Sequence, residues 1–162
     1  MVKNILITGG AGYIGSHITE ILLKQKKQIF LVDNLSTGHA RLINKNAKFF
    51  KMNIHNTKKL SQIIIKNKID SVIHLAASLV IGLGEKYPKK YYKNNVLGTQ
   101  SVLNSCKKTN VKNFIFSSTA AVYKDGLYRV KEKSKLKPKS IYGKTKLKAE
   151  KLIQKFCKRN NI

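Results

Sequence analysis

The sequence predicts a doubly wound α/β domain built on a parallel sheet of about five strands, and three observations carry that expectation. Short apolar, β-rich runs recur at residues 4–8, 28–32, 48–52, 71–76 and 113–117. The longer stretches between them place apolar residues at helical spacing, as with Ile14, Ile18, Ile21 and Leu22 after the first run and Leu60, Ile63 and Ile64 before the fourth. A cluster of glycines closes the first run where the first helix should begin. Strand alternating with helix implies parallel strands joined by right-handed crossovers, with helices covering both faces of the sheet.

The bulk properties agree with one packed unit. A chain of 162 residues suffices for a single domain that buries roughly 68–70% of its unfolded surface. Its apolar content of 42%, with eighteen isoleucines, argues for a core rather than a disordered basic tail. Cys106 and Cys157 stand far apart with no paired spacing toward a histidine or another cysteine, so neither a disulfide framework nor a metal site is expected, and a reducing, cytoplasmic setting fits. No apolar run approaches the ~18 residues of a membrane span, and the apolar run near the N-terminus is too short for a signal sequence. The net charge of +26 comes from thirty lysines and only three arginines scattered along the whole chain. That distribution reads as solvated faces. Because bidentate arginine makes the commonest specific base contact, nucleic acid is not an expected partner.

The run "ILITGGAGYIGSH" sets Gly9, Gly10, Gly12 and Gly15 at the turn from first strand to first helix. Glycines at this spacing permit a tight turn and let a pyrophosphate approach the backbone, where helix amides and the positive end of the helix dipole meet it. Eighteen residues past Gly15, at the end of the second strand, stands Asp33. A carboxylate there suits the ribose hydroxyls of a dinucleotide and repels a 2′-phosphate, which favours NAD over NADP. The expected architecture is thus of the Rossmann type.

The last well-patterned segment, "SIYGKTKLKAE", contains the one Tyr-x-x-x-Lys spacing in the chain, Tyr142 with Lys146. In so lysine-rich a sequence the spacing alone arises by chance. Position singles the lysine out instead. On a helix starting after Ser140 as N-cap, Tyr142, Thr145, Lys146, Ala149, Leu152, Ile153 and Phe156 share one stripe, while Lys144, Lys148, Lys151, Lys155 and Lys158 crowd the opposite face. A charge on the buried stripe is costly unless paired or used. A cation one helical turn from a phenol favours the phenolate, which makes such a tyrosine a candidate general acid/base.

These residues, together with "LVDNLSTGH", "IDSVIHLAA", "YYKNNVLGT" and "VKNFIFSSTAAVY", make the chain resemble the extended short-chain dehydrogenase/reductases, and within them most closely the UDP-glucose 4-epimerase group. The resemblance runs from the first strand to about Phe156. It implies NAD as cofactor and a UDP-sugar as substrate. By residue, it implies that Gly9, Gly12, Tyr13, Ile14 and Gly15 meet the pyrophosphate and that Asp33 and Asn34 hold the adenosine ribose. Asn53 and Ile54 would flank the adenine, Leu75, Ala76 and Ala77 would line the cleft, and Asn94 would lie near the cofactor. Thr119 would bind the sugar hydroxyl, Tyr142 would serve as acid/base, and Lys146 would hold the nicotinamide ribose.

The same comparison places Ala120 and Ala121 where sugar-nucleotide 4,6-dehydratases of the family carry Asp-Glu, and elimination of water without those proton carriers is disfavoured. Asn53 stands for a usual Asp, Leu79 for a lysine of some epimerases, Ile141 for a frequent proline and Lys124 for a usual glycine. Members of the family are roughly twice this length. The expectation is therefore a single NAD-binding domain over residues 1–162, with later strands and a substrate domain missing. The helices expected at 91–108 and 142–158 resemble the pair that forms a homodimer in the family. His17, His39, His55 and His74 show no ligand spacing and are expected to be structural, as are Cys106 and Cys157. Three other functions remain open on sequence alone: another NAD-dependent sugar-nucleotide epimerase or dehydratase, a non-catalytic NAD-binding fragment, and a basic scaffold for nucleic acid.

Overall fold

The computed structural model describes residues 2–107, 109–126, 129–160 and 162. Five parallel strands form one sheet: β1 (Asn4–Thr8), β2 (Gln28–Asp33), β3 (Lys48–Lys51), β4 (Ser71–His74) and β5 (Asn113–Phe116). Their order is β3-β2-β1-β4-β5. Each predicted strand is present. β2 runs one residue further than expected, while β3, β4 and β5 stop one or two residues short, where the chain leaves the ladder to build the loops at the carboxyl edge.

The central strands explain themselves by composition. β1 and β4 are buried on both faces, as a doubly covered parallel sheet requires of apolar runs. They pair in register from Ile5 opposite Ser71 to Thr8 opposite His74. On one face Ile5, Ile7, Ile29, Leu31 and Ile73 form a core, packed by Ile18, Leu22 and Leu23 of α1 (Tyr13–Lys24). On the other, Leu6, Phe30, Val32 and Val72 meet Leu60, Ile63 and Ile64 of α2 (Thr57–Lys66), and Val102 and Cys106 of α5 (Gly98–Cys106).

Between β4 and α5 lie the short helices α3 (Ile81–Lys86) and α4 (Pro88–Tyr91), then a π-helical turn at Tyr92–Leu97. The expected helix over 91–108 is thus present as one helical run that widens into that turn, and its last residue, Lys108, lies outside the described residues. The chain's final helix is α6 (Ile141–Asn160). One expected face is corrected in α1. Ile14 and Ile21 are 54% and 56% exposed, while Gly15 and Thr19 are the buried positions. At Gly15 the helix meets the glycine turn so closely that no Cβ fits, and further along it packs on the sheet through Ile18, Leu22 and Leu23, which leaves Ile14 and Ile21 outside the contact.

Candidate functional site

A cleft opens at the carboxyl edge of the sheet, beside the point where the strand order reverses between β1 and β4, the general ligand position of open α/β sheets. Its walls come from the loops after four strands. Gly9 and Gly12 follow β1, Asp33 ends β2 with Asn34, Ser36, Thr37 and Gly38 after it, and Met52, Asn53 and Ile54 follow β3. Leu75, Ala76, Ala77 and Leu79 follow β4, and Asn94 reaches in from the π-helical turn. Ten of the expected cofactor residues are thereby gathered around one cavity: Gly9, Gly12, Asp33, Asn34, Asn53, Ile54, Leu75, Ala76, Ala77 and Asn94.

The glycine turn is shaped by two positions. Gly9 has φ +73, and a Cβ there would come within 2.8 Å of the Ala76 amide nitrogen. A Cβ on Gly15 would overlap the Gly9 carbonyl oxygen. The first turn of α1 is thus seated directly on the loop, with Gly12 as N-cap and no side chain capping it. Its leading amides, among them those of Tyr13 and Ile14, begin a helix whose positive end is left for an anion. The side chains of Tyr13 and Ile14 themselves are exposed and are not walls of the cleft.

Asp33, expected as a ribose acceptor, also has partners within the protein. Its Oδ2 takes the Ala11 amide at 3.1 Å and its Oδ1 takes the Leu35 amide at 2.8 Å. The carboxylate therefore braces the glycine loop from the side and holds Leu35 in a left-handed turn, φ 60. A carboxylate offers about four lone-pair sites, so two remain for hydroxyls in the cleft. Asn53 similarly spends its Oδ1 on the His55 amide at 3.0 Å.

The second half of the site is built by α6. Ser140 caps it, its Oγ accepting from the Gly143 amide at 3.0 Å. The lysine pattern falls as the helical stripe predicts: Lys144, Lys148, Lys151, Lys155 and Lys158 are exposed, and Lys146 is 2% exposed. Its Nζ donates to the Ser117 carbonyl at 2.6 Å and lies 4.0 Å from the centre of the Phe116 ring. Burial pushes the Lys146 ammonium down to about 8, with Glu150 acting in the opposite sense. Ser118 donates its hydroxyl hydrogen to Glu150, one turn further along the helix. Thr119 accepts the Ala121 amide at 3.2 Å, which leaves its hydroxyl hydrogen available. A Cβ on Gly143 would overlap the Ala121 carbonyl oxygen, so the first turn of α6 rests on the turn that follows Thr119. Tyr142, half-buried, stands in that first turn.

The two halves are joined by Asn95 and Ser78, which the sequence reading did not single out, together with Asn94 and Thr145, which it named. Asn95, 2% exposed, accepts the Ser78 amide at 2.7 Å and donates to the Ser78 carbonyl and to Thr145 Oγ1, both at 3.1 Å. Thr145 in turn donates to the Tyr142 carbonyl at 2.8 Å. Its neighbour Asn94, a wall of the cleft, donates to Ser78 Oγ at 3.0 Å. A continuous chain of hydrogen bonds thus runs from the cleft to the backbone of Tyr142. The available signal was the doubled Asn94-Asn95 in an otherwise helical stretch.

His74 is structural, as expected, and its role is specific. Thr99 Oγ1 donates to the Asn95 carbonyl at 2.7 Å, so toward His74 Nε2, at 2.9 Å, it accepts. The proton therefore sits on Nε2, and Nδ1 accepts the Thr8 hydroxyl at 2.6 Å. Burial, and after it the Lys146 ammonium, push this imidazole down to about 3 from its ordinary 6.5. Its folded pKa lies below its unfolded value, so the unfolded chain binds the extra proton between those limits. Stability present above pH 6.5 should be lost as pH falls toward 3, by a few kcal/mol at about 1.4 per unit. Urea midpoints measured across this window should fall steeply in the native protein and more gently in His74→Gln, whose amide carries a donor and an acceptor but does not titrate.

Comparison with known proteins follows this geometry closely. The NAD dependent epimerase/dehydratase family matches residues 5–162. A UDP-glucose 4-epimerase of Halalkalibacterium halodurans is 42% identical over 150 residues, covering 92% of this chain and 45% of that protein. Among solved structures, a UDP-glucose 4-epimerase of Brucella ovis in complex with NAD superposes with TM-score 0.94 at 37% identity, over 99% of this chain and 49% of the other. A Thermotoga maritima UDP-glucose 4-epimerase with UDP-glucose superposes with TM-score 0.93 at 32% identity, over 98% and 52%. The chain spans about half the length of the relatives it matches.

Proposed function

Because the chain belongs to the NAD dependent epimerase/dehydratase family, we propose that its cleft holds NAD and that the protein interconverts UDP-glucose and UDP-galactose. The observation that carries this reading is the hydrogen-bonded path from the cleft wall at Asn94 through Ser78, Asn95 and Thr145 to the Tyr142 backbone. It ties the lining of the cleft to the helix that carries Tyr142 and Lys146.

The residues fit the cofactor. Gly9, Gly12 and the uncapped start of α1 suit a pyrophosphate, and the free lone pairs of Asp33 suit ribose hydroxyls. Bound there, NAD would supply reversible acceptance of hydride from C4 of the sugar. Tyr142 takes the proton of the 4-hydroxyl as the C4 hydrogen leaves, and returns a proton to the oxygen after the keto sugar has turned over. Lys146, pushed down to about 8, is mainly cationic at neutral pH and can donate to the nicotinamide ribose once drawn from the Ser117 carbonyl. Thr119 donates its free hydroxyl hydrogen to the sugar oxygen. Ala120 and Ala121 bring no carboxylate to the turn after Thr119, which supports epimerisation over elimination of water.

The reading extends to the assembly. Further strands would dock on the edge at β5, where Ile115 stands 57% exposed, and a substrate-gripping region would complete the sugar site. Homodimerisation through α5 and α6 belongs to the same reading, since these helices resemble the pair that forms a homodimer in the family. A reducing, cytoplasmic setting suits the two free cysteines, of which Cys106 is buried and pushed up to about 12 by that burial.

Calorimetric titration tests the cofactor. NAD should bind, NADP should bind far more weakly, and Asp33→Asn should weaken NAD by roughly 10- to 100-fold, the worth of hydrogen bonds to a charged acceptor. Absence of NAD affinity in the native protein sinks the proposal; NAD binding with no epimerisation of either UDP-sugar leaves a cofactor-binding chain without turnover.

A further inference from the structure

The first turn of α6 is held by a carboxylate from a different element. Glu85, near the end of α3, accepts the Ile141 amide on Oε1 at 2.7 Å across 56 positions of sequence. Ile141 is the first residue of α6 and Tyr142 the second. The amides of a helix's first turn have no partner within the helix. Here Ser140 satisfies that of Gly143 and Glu85 satisfies that of Ile141, bracketing Tyr142 between two caps. A carboxylate at this end also meets the positive pole of the helix dipole.

The packing around the tether is close. Gly84, the buried residue of α3, faces both the ring of Tyr91 and the backbone nitrogen of Tyr142, its Cβ position 3.5 Å from the latter. Tyr91 donates its hydroxyl to the Val80 carbonyl at 2.5 Å and so fixes the start of α3. The segment from Ser78 to Glu85 is therefore bound to α6 at both ends. Asn95 links Ser78 to Thr145, and Glu85 grips Ile141 directly. In between, the same segment presents Leu79 to the cofactor cleft.

We propose that Glu85 is a positioning residue for Tyr142, its carboxylate tying the leading amide of α6 to α3 so that the phenol keeps a fixed place relative to the cleft. The inference rests on reading Tyr142 as the acid/base. It adds a residue that touches neither cofactor nor sugar and acts only by holding the turn from which the phenol projects. A misplacement of about 1 Å at a reacting group can cost up to 10²-fold in rate.

The test uses the full-length protein and four forms: native, Glu85→Ala, Glu85→Gln and Tyr142→Phe. Glu85→Ala should lower kcat roughly tenfold while KM and NAD affinity stay within about twofold. Glu85→Gln keeps an acceptor oxygen and should recover most of that loss. Amide hydrogen exchange at Ile141 should quicken in Glu85→Ala and return toward native in Glu85→Gln. Unchanged exchange in Glu85→Ala means there is no tether; faster exchange with unchanged kcat means the tether does not serve the phenol; either result overturns the proposal. If Glu85→Ala does not fold, exchange and kcat in Glu85→Asp, whose shorter side chain withdraws the acceptor, decide between the same outcomes. Native turnover in Tyr142→Phe defeats the acid/base reading separately, whatever Ile141 exchange shows.

Discussion

Replacement of Tyr142 by Phe is expected to lower epimerase turnover by ~10²–10⁴-fold, the usual worth of a positioned general acid/base. The ring stays, so the first turn of α6 should keep its seat on Ala121 and its hydrogen bond from Thr145 to the residue-142 carbonyl. Only the proton carrier is removed. NAD affinity should change by no more than a few-fold, because the cleft walls from Gly9 to Asn94 are untouched. Turnover of UDP-galactose beside calorimetric NAD binding separates the two effects. Retention of more than about a tenth of native kcat would mean that another group moves the proton.

The substitution Gly15→Ala should do the reverse, leaving the chemistry groups intact and removing their cofactor. The added methyl would overlap the Gly9 carbonyl oxygen and press on the Gly10 backbone 2.8 Å away. These are backbone atoms and cannot swing aside as a side chain would. Overpacking of this kind costs about 1–3 kcal/mol, and relief must come from α1 lifting off the glycine turn. Because that helix start is the proposed pyrophosphate seat, NAD affinity should fall roughly 10- to 100-fold together with a lower melting temperature. Native NAD affinity in a Gly15→Ala protein would show that the helix start does not meet the cofactor.

Much of the site was legible in the linear sequence because its chemistry depends on local geometry. A glycine turn between strand and helix needs particular residues at fixed spacing. Lys146 stood out because a helix repeats every 3.6 residues, which separates one buried lysine from five exposed ones. The same logic failed in α1. Ile14 and Ile21 match the period yet face outward, since the contact surface there runs from Gly15 on the loop to Ile18, Leu22 and Leu23 on the sheet. It also missed the π-helical turn, whose wider i→i+5 bonding breaks the period and brings Asn94 toward the cleft and Asn95 toward α6.

The sequence by itself determined the alternation of strands and helices, the glycine turn and the buried stripe of α6, because backbone periodicity and glycine sterics act over a few residues. Tertiary structure alone decided the strand order and the pairings of distant polar groups. Asp33 meets Ala11, His74 sits between Thr8 and Thr99, Asn95 joins Ser78 to Thr145, and Glu85 reaches Ile141. A hydrogen bond needs its partners within about 3 Å. No periodicity within one element specifies how that element is set against another, so these contacts exist only once the sheet and its helices have packed.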